Sequence, residues 1–367
     1  MSKPLPLVPH HVSTETGARA RGRALGEACR DGIHETFAGY ASLFAAHGLH
    51  PHHVRDHGRK ALAEVGAWAP YLADEIAGIA EGSGLSAWKV GALNARTEIL
   101  AAADVTGEGE CSTSVVLPGD GTPPRTVQTW DWHDVLRDAM LAWTLEPAPG
   151  RRVATFTEHG VVGKIGVNDA GLGVHFNVLR HRSDSADIGV PVHVVARRVL
   201  DEATTVADAV RIARSARLSA STVLTVVTHD DARCLELSPA GVAEVYPEDG
   251  FLTHANHFLD PELSRGERTT ADVSSTFERG TWLRERAAAL RADDLTERAH
   301  ALRAHGEDGA PVCAHAEETL PAHQRWESLA TISIDVTDRR LHVHRGGPCQ
   351  VGEESWLTCS AGLTAVR

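Results

Sequence analysis

The sequence predicts an α+β fold in which sheets are covered by helices, and three observations carry that expectation. The first 100 or so residues are rich in Ala, Arg, Glu and Leu, with apolar residues at helical spacing. From Cys111 the texture changes to short runs dominated by β-branched residues. A few amphipathic segments punctuate those runs, and many strands with few helices suit a layered arrangement. With 367 residues, 42% of them hydrophobic, the chain can bury a sizeable core.

Taken in order, residues 14–46 read as helical, and His50-Pro51-His52-His53 as a break. Residues 57–82 resume the helical pattern through Leu62, Val65, Trp68, Leu72, Ile76 and Ile79. Ser86 is placed to cap a third helix running through Val90, Leu93 and Ile99. Residues 101–110 are small and polar and include Asp104, Gly107 and Gly109, the composition of an exposed linker. Strands are expected at 111–117, 126–130, 161–167, 173–178, 222–228 and 329–336. Helices are expected at 192–200, 206–214 and 281–290, and a surface loop at 305–322. The natural division is a helical segment, 1–110, and a strand-rich catalytic part, 111–367, forming one globular unit.

Charge and composition exclude several function classes. A net charge of −13 argues against a nucleic-acid partner, because neutralising phosphates needs clustered Lys and Arg. No apolar run reaches the length of a membrane span. The start, Met1-Ser2-Lys3-Pro4-Leu5-Pro6, is no secretory signal, so a cytoplasmic protein is expected. Six cysteines at 29, 111, 234, 313, 349 and 359 form no CxxC pair, and most of them are expected as thiols. Among 22 histidines, His47, His50, His52, His53 and His57 cluster. They lack a paired Cys or an HExxH spacing and straddle the helix break, so no metal and no cofactor are assigned.

Cys111 is the exception among the cysteines. It opens a strand directly after the linker, an unusual place for a core residue. If the chain is cut between Glu110 and Cys111, the cysteine gains a free α-amine with an ordinary pKa of about 8. That amine can take the thiol proton, so no separate histidine is required. The plain alternative is a strand cysteine packed inside. In Gln128-Thr129-Trp130-Asp131-Trp132-His133, a hairpin would return Asp131 beside Cys111 to hold the amine. In His254-Ala255-Asn256-His257-Phe258, Asn256 is placed to donate its amide N–H to an oxyanion, or simply to shape a turn. The run Gly166-Val167-Asn168-Asp169-Ala170-Gly171-Leu172-Gly173 reads as a hairpin turn, not a phosphate loop, because no helix follows. Trp130, Trp132, Trp143 and Phe176 are candidates to line an acyl pocket, and His257 joins the substrate-binding set. Two rivals stand beside this reading. One is an uncleaved cysteine hydrolase using His133, His175 or His257 as base; the other is a non-enzymatic metal- or ligand-binding protein.

Together, Asn94-Ala95-Arg96-Thr97-Glu98-Ile99, Cys111-Ser112-Thr113, Trp130-Asp131-Trp132, the glycine-rich 166–173 turn and 254–258 resemble the penicillin acyltransferase family of Ntn hydrolases. The resemblance implies a four-layer αββα sandwich behind a helical N-terminal segment. It implies a zymogen that cleaves itself before the cysteine and leaves two associated fragments. It carries over Cys111 as nucleophile, Asp131 as partner of the amine, Asn256 as oxyanion donor and Arg279 as an arginine near the nucleophile. Its partners would be a small acyl donor and an amine or coenzyme A acceptor, with no cofactor. In one departure, the family pattern has Gly before the cysteine where this chain has Glu110. That side chain restricts the strained backbone an N-to-S acyl shift needs, so slower cleavage is expected.

Overall fold

A computed structural model describes residues 5–103 and 109–362. Asp104 and Gly107 of the expected linker therefore lie outside the described residues. The N-terminal segment is helical as expected, but in six pieces: α1 (Ala18–Ala28), α2 (Arg30–Ala46), α3 (Pro51–Trp68), α4 (Pro70–Ser83), α5 (Ala87–Asn94) and α6 (Arg96–Ala102). Prolines set two of the boundaries, since a ring without an N–H fits only a helix's first turn. Pro51 makes the expected break the start of α3, with His50 as its cap, and Pro70 divides the expected 57–82 helix. The third expected helix is also divided, at Ala95, and Ser86 holds the cap position without a side-chain capping bond. Helices α1 and α4 pack at very short range. A Cβ on Gly22 would meet the Glu75 carbonyl oxygen at 2.1 Å, and one on Gly82 the Arg23 carbonyl oxygen at 2.1 Å.

The strands are β1 (His10–Val12), β2 (Glu110–Val116), β3 (Arg125–His133), β4 (Met140–Ala148), β5 (Arg151–Glu158), β6 (Ile165–Asn168) and β7 (Gly173–Val178). After helices α7 (Val192–Glu202) and α8 (Val206–Arg214) come β8 (Thr222–Val227), β9 (Ala232–Ser238), β10 (Gly241–Val245) and β11 (Phe251–His254). Helices α9 (Thr276–Glu285), α10 (Ala287–Leu290) and α11 (Leu295–His300) precede β12 (Trp326–Asp335), β13 (Arg340–Arg345) and β14 (Trp356–Ser360). They build an eight-stranded sheet, β1-β4-β5-β6-β7-β8-β9-β10, and a six-stranded sheet, β11-β2-β3-β12-β13-β14.

The two sheets face each other through β2 on β7 and through β12 and β13 on β6. Helices α7 and α8 cover the outer side of the larger sheet, and α9 covers β2 and β11 on the smaller one. The result is the four-layer αββα sandwich. Glycine-rich residues 166–173 do form the β6–β7 hairpin turn, with Gly171 at φ 79. Asn168 closes that turn by accepting the N–H groups of Ala170 and Leu172. The expected strand at 161–167 begins only at Ile165, because Asn94 takes the Val162 N–H out of any ladder and donates to the Gly160 carbonyl. Helix α9 begins five residues before the expected 281, which places Arg279 on a helix.

The 1–110 segment is woven into the rest. Strand β1 pairs parallel to β4 at the edge of the larger sheet. Buried Glu75 of α4 bridges Arg21 of α1 and Arg197 of α7. Glu98 of α6 accepts the Val192 N–H at the start of α7 (2.8 Å), and Arg96 and Tyr40 both reach Glu158 on β5. No described helix is long and apolar enough to cross a membrane.

Candidate active site

Strands β2 and β3 pair antiparallel, as the hairpin expectation required, with Cys111 opposite Trp130 and Glu110 opposite Asp131. Directly opposed residues share a face. Cys111 and Thr113 therefore point between the sheets, where the Thr113 hydroxyl donates to Asn177 Oδ1 of β7 at 2.7 Å. Glu110, Ser112 and Asp131 point outward, toward α9. Serine and threonine suit this strand because it is buried on both faces and the Ser112 and Thr113 hydroxyls find partners there.

Arg279 is fully buried over that outer face. It donates to the Cys111 carbonyl at 2.7 Å, to Ser112 Oγ at 3.0 Å, to Asn256 Oδ1 at 2.9 Å and to Ser275 Oγ at 3.1 Å. It also lies 3.3 Å from Glu110 Oε1. Glu110 accepts from Ser274 Oγ at 2.6 Å and from the Ser275 N–H and hydroxyl at 3.2 Å each. Burial would raise this carboxyl's pKa, but Arg279 and the two serines hold it below the usual value. The residue that departs from the family pattern is thus firmly seated, one wall of an open 520 Å³ pocket shared with Ser274, Ser275, Glu278, Gly306, Pro311 and Trp326.

Asn256 lies against Cys111. Its Oδ1 accepts the Cys111 N–H at 2.8 Å and the Arg279 contact, while its Nδ2 donates to the Val178 carbonyl at 2.9 Å. Two donors at Oδ1 and an acceptor at Nδ2 fix which way the amide faces. The amide oxygen of Asn256 receives the backbone N–H of Cys111, on the bond next to Glu110. One Nδ2 hydrogen remains beyond the Val178 bond. Asn177, which sequence reasoning missed, donates to the carbonyls of Cys111 (3.2 Å), His254 (3.1 Å) and Ala255 (3.1 Å). Its signal was an amide at the end of the β7 run, indistinguishable there from a turn residue.

Asp131 is fully buried. Its Oδ1 accepts from Ser328 Oγ at 2.6 Å, and its Oδ2 has no hydrogen-bond partner among the described residues. Burial, helped by nearby Glu110, pushes its carboxyl up to about 7 against the opposing pull of Ser328 and Arg279. Burial and then the Asp131 carboxylate push the Cys111 thiol up to about 12, with Lys164 opposing. Lys164, also missed, lies 3.5 Å from the centre of the Trp130 ring and 2.7 Å from Glu158. Burial drives its ammonium down to about 7 against the pull of Glu158.

The expected pocket aromatics are buried in this structure. Trp130 and Trp132 are stacked and buried, and Phe176 stacks on His193. Trp143 is sealed in the larger sheet with its N–H on Ser13. His257 rests against Thr276 (2.9 Å) and Phe277, and burial pushes it down to about 4. Of the other candidate bases, His175 is tied to Gln128 at 2.8 Å and pushed down by burial to about 3, and His133 packs on Trp326.

Comparison with known proteins bears on this geometry. The profile of the family described as acyl-coenzyme A:6-aminopenicillanic acid acyl-transferase matches residues 117–347. The chain belongs to that family. The match starts downstream of the Glu110–Cys111 junction and includes Asp131, Asn177, Asn256 and Arg279. The chain is also 27% identical over 298 residues to the acyl-coenzyme A:6-aminopenicillanic-acid-acyltransferase 40 kDa form of Emericella nidulans, covering 80% of each protein. Two solved structures are more distantly similar. Penicillin V acylase from Agrobacterium tumefaciens matches with a TM-score of 0.40 at 13% identity, over 64% of this chain and 83% of that one. A mutant conjugated bile acid hydrolase from Clostridium perfringens matches with a TM-score of 0.43 at 10% identity, over 68% and 92%.

Proposed function

We propose that this member of the acyltransferase family is a precursor that cuts itself between Glu110 and Cys111 and then transfers or hydrolyses acyl groups through Cys111. The observation that carries the proposal is the grip on that one peptide bond. Arg279 holds the carboxylate on one side and the carbonyl on the other, while Asn256 holds the Cys111 N–H. In the cutting step the Cys111 sulfur attacks the Glu110 carbonyl carbon and the thiol proton goes to the departing nitrogen. Water then hydrolyses the resulting thioester, leaving Glu110 as a new C-terminus and Cys111 with a free amine.

Cutting also resolves two costs of the intact chain. A thiol pushed to about 12 is protonated at neutral pH, so an uncleaved Cys111 attacks slowly, which a single cutting event tolerates and repeated turnover does not; this disfavours the uncleaved rival. The unpartnered Asp131 Oδ2 gains a neighbour when the amine appears at the end of Cys111, next to the Glu110 position that Asp131 faces, and a cationic amine draws the carboxyl pKa down. In turnover the amine takes the thiol proton, and sulfur attacks the substrate's amide or thioester carbonyl. The displaced amine or thiol leaves with a proton, and water or an acceptor amine releases the acyl group. The acyl donor is a small molecule, the acceptor an amine or coenzyme A, and no cofactor is required. The pocket beside Glu110 borders the cleavage junction, and the two fragments stay associated through β1 and the buried ion pairs.

On a denaturing gel the purified protein is expected as two bands of roughly 12 and 27 kDa by proportion of chain length. The larger should begin Cys-Ser-Thr-Ser-Val on N-terminal sequencing. One intact band with full activity would overturn the cleavage step.

Asn256→Ala is expected to lower turnover about 10²- to 10³-fold, well beyond what its loss of melting temperature from unpairing Arg279 and the Val178 carbonyl accounts for, because it removes a donor near the oxyanion. Asn256→Asp keeps an acceptor for Cys111 and Arg279 but sets negative charge beside the oxyanion, so it should be at least as harmful. Intact mass must be recorded for both, since an uncut variant is inactive for a separate reason. A variant that is cut, melts like the parent and turns over at the parental rate removes Asn256 from the site.

A further inference from the structure

We propose that His305, Cys313, His315 and Cys349 form a metal centre suited to Zn²⁺, which pins the loop bordering the pocket at Glu110. One potential ligand atom from each residue lies within 4.8 Å of all the others. Among the described residues this is the one group of three or more such side chains that converges, and the 47–57 histidine cluster does not form another. The Cys349 and Cys313 sulfurs lie 3.4 and 3.8 Å from His315 Nε2. In a tetrahedral Cys₂His₂ site, zinc–sulfur and zinc–nitrogen bonds of about 2.3 and 2.0–2.1 Å place neighbouring ligand atoms about 3.3–3.8 Å apart. The two sulfur–nitrogen edges already have that length, and the widest pair needs to close by about 1 Å.

The donor set points to zinc over calcium or magnesium. Two thiols and two imidazoles are soft and borderline ligands, whereas the hard cations take oxygen. Binding releases the two thiol protons, and two thiolates neutralise the charge of Zn²⁺. Four protein ligands close the coordination shell, which makes the centre structural.

The surroundings are built to bring these residues together. The Cys313 N–H donates to the Ala304 carbonyl at 2.8 Å, fastening the start of the loop to its end. Position 347 is Gly, and a Cβ there would press on Cys313 Sγ at 2.7 Å. Gly306, Gly309 and Pro311, between the first two ligands, line the pocket beside Glu110. On the other side, the Ala314 N–H donates to Ser328 Oγ at 2.9 Å, and that hydroxyl donates to Asp131 Oδ1 at 2.6 Å. The centre therefore sits two hydrogen bonds from the Asp131 carboxylate. The sequence reading assigned no metal and took 305–322 as a surface loop. Yet Val312 and Cys313 are buried, and the 8-, 2- and 34-residue spacings between the ligands match no zinc motif.

The test is metal content of untagged full-length protein, purified under reducing conditions without chelator. About one zinc per chain is expected, falling to trace in Cys349→Ser and His315→Asn and unchanged in Cys359→Ser. Parent protein stripped of metal and given Co²⁺ alone should show thiolate-to-cobalt absorption and the visible bands of a tetrahedral site, both lost in Cys349→Ser. Far-UV circular dichroism establishes that the variants are folded. The proposal is overturned if parent protein with free thiols binds neither Zn²⁺ nor Co²⁺. It is equally overturned if folded Cys313→Ser/Cys349→Ser keeps the parental zinc, or if peptide mapping of the reduced-purified parent finds Cys313 and Cys349 joined as a disulfide.

Discussion

Cys111→Ala is expected to yield a single uncut chain with no turnover, a loss on the order of 10⁶-fold that takes activity to the assay floor. The size of the effect follows from the two tasks given to one sulfur. In the proposed mechanism it attacks the Glu110 carbonyl once, and then attacks substrate in every cycle. Removing it eliminates both covalent intermediates, and no hydroxyl or thiol is left on the residue to replace it. Cys29→Ala, Cys234→Ala and Cys359→Ala should be cut and active, apart from ordinary stability losses where the thiol is buried. Iodoacetamide gives an independent readout. In the uncut chain Cys111 is 2% exposed with its thiol pushed up to about 12, so alkylation should be slow. After cutting, the amine beside the sulfur should make alkylation fast and inactivating. Inactivation that tracks another cysteine on peptide mapping would remove Cys111 from the chemistry.

Much of the framework was legible because it rests on local signals. Val192–Glu202 and Val206–Arg214 show helical periodicity, and β2, β3, β7, β8 and β12 show β-branched runs. Strands β4, β5, β9, β10, β13 and β14 were not anticipated. In β13, Arg340, His342 and His344 alternate with Leu341 and Val343, a period of two whose polar half disguised it as loop. Polar residues are common in these strands because two stacked sheets and their covering helices bury both faces, and several, such as Thr126, Thr331 and Ser333, bond backbone carbonyls inside.

The site was legible in part for a related reason. Cys111, Asp131, Asn256 and Arg279 stood out as motif residues, and three of them meet at the Glu110–Cys111 bond while Asp131 sits across the ladder from it. What they face could not be read from spacing. Asn177 reaches Cys111 from a strand in the opposite sheet, and Ser274 and Ser275 reach Glu110 from the loop before α9. The 94–99 motif proved architectural. Asn94 clamps residues 160–162, Arg96 pairs with Glu158, and Glu98 receives the first N–H of α7. Each ties residues before the Glu110–Cys111 bond to residues after it.

Glu158→Gln is expected to be the most destabilising single change at this seam, costing about 3–5 kcal/mol at neutral pH. Glu158 is fully buried and is the anion shared by Arg96 and Lys164, with the Tyr40 hydroxyl donating to it as well. Burial would raise its pKa, but Arg96 and Lys164 hold it down at about 2. A depressed carboxyl stabilises the fold above the unfolded pKa of about 4.3, and that contribution is lost as pH falls toward 2. Glutamine has the same shape and no charge, so the parent should melt well above the variant at pH 7 and the gap should narrow between pH 4 and pH 2. Lys164 then responds to the missing anion. Without Glu158 its already depressed pKa falls further, so the folded variant binds fewer protons than the unfolded chain over a wider range below pH 10. The variant should accordingly gain more stability than the parent as pH rises from 6 to 8. Activity should fall too, because Lys164 lies on the Trp130 ring and Trp130 is the cross-strand neighbour of Cys111. Melting temperatures of parent and variant from pH 3 to pH 8 test the account. Coincident curves at pH 7, or a gap that does not change with pH, would show that the Arg96–Glu158–Lys164 cluster does not hold the two parts together.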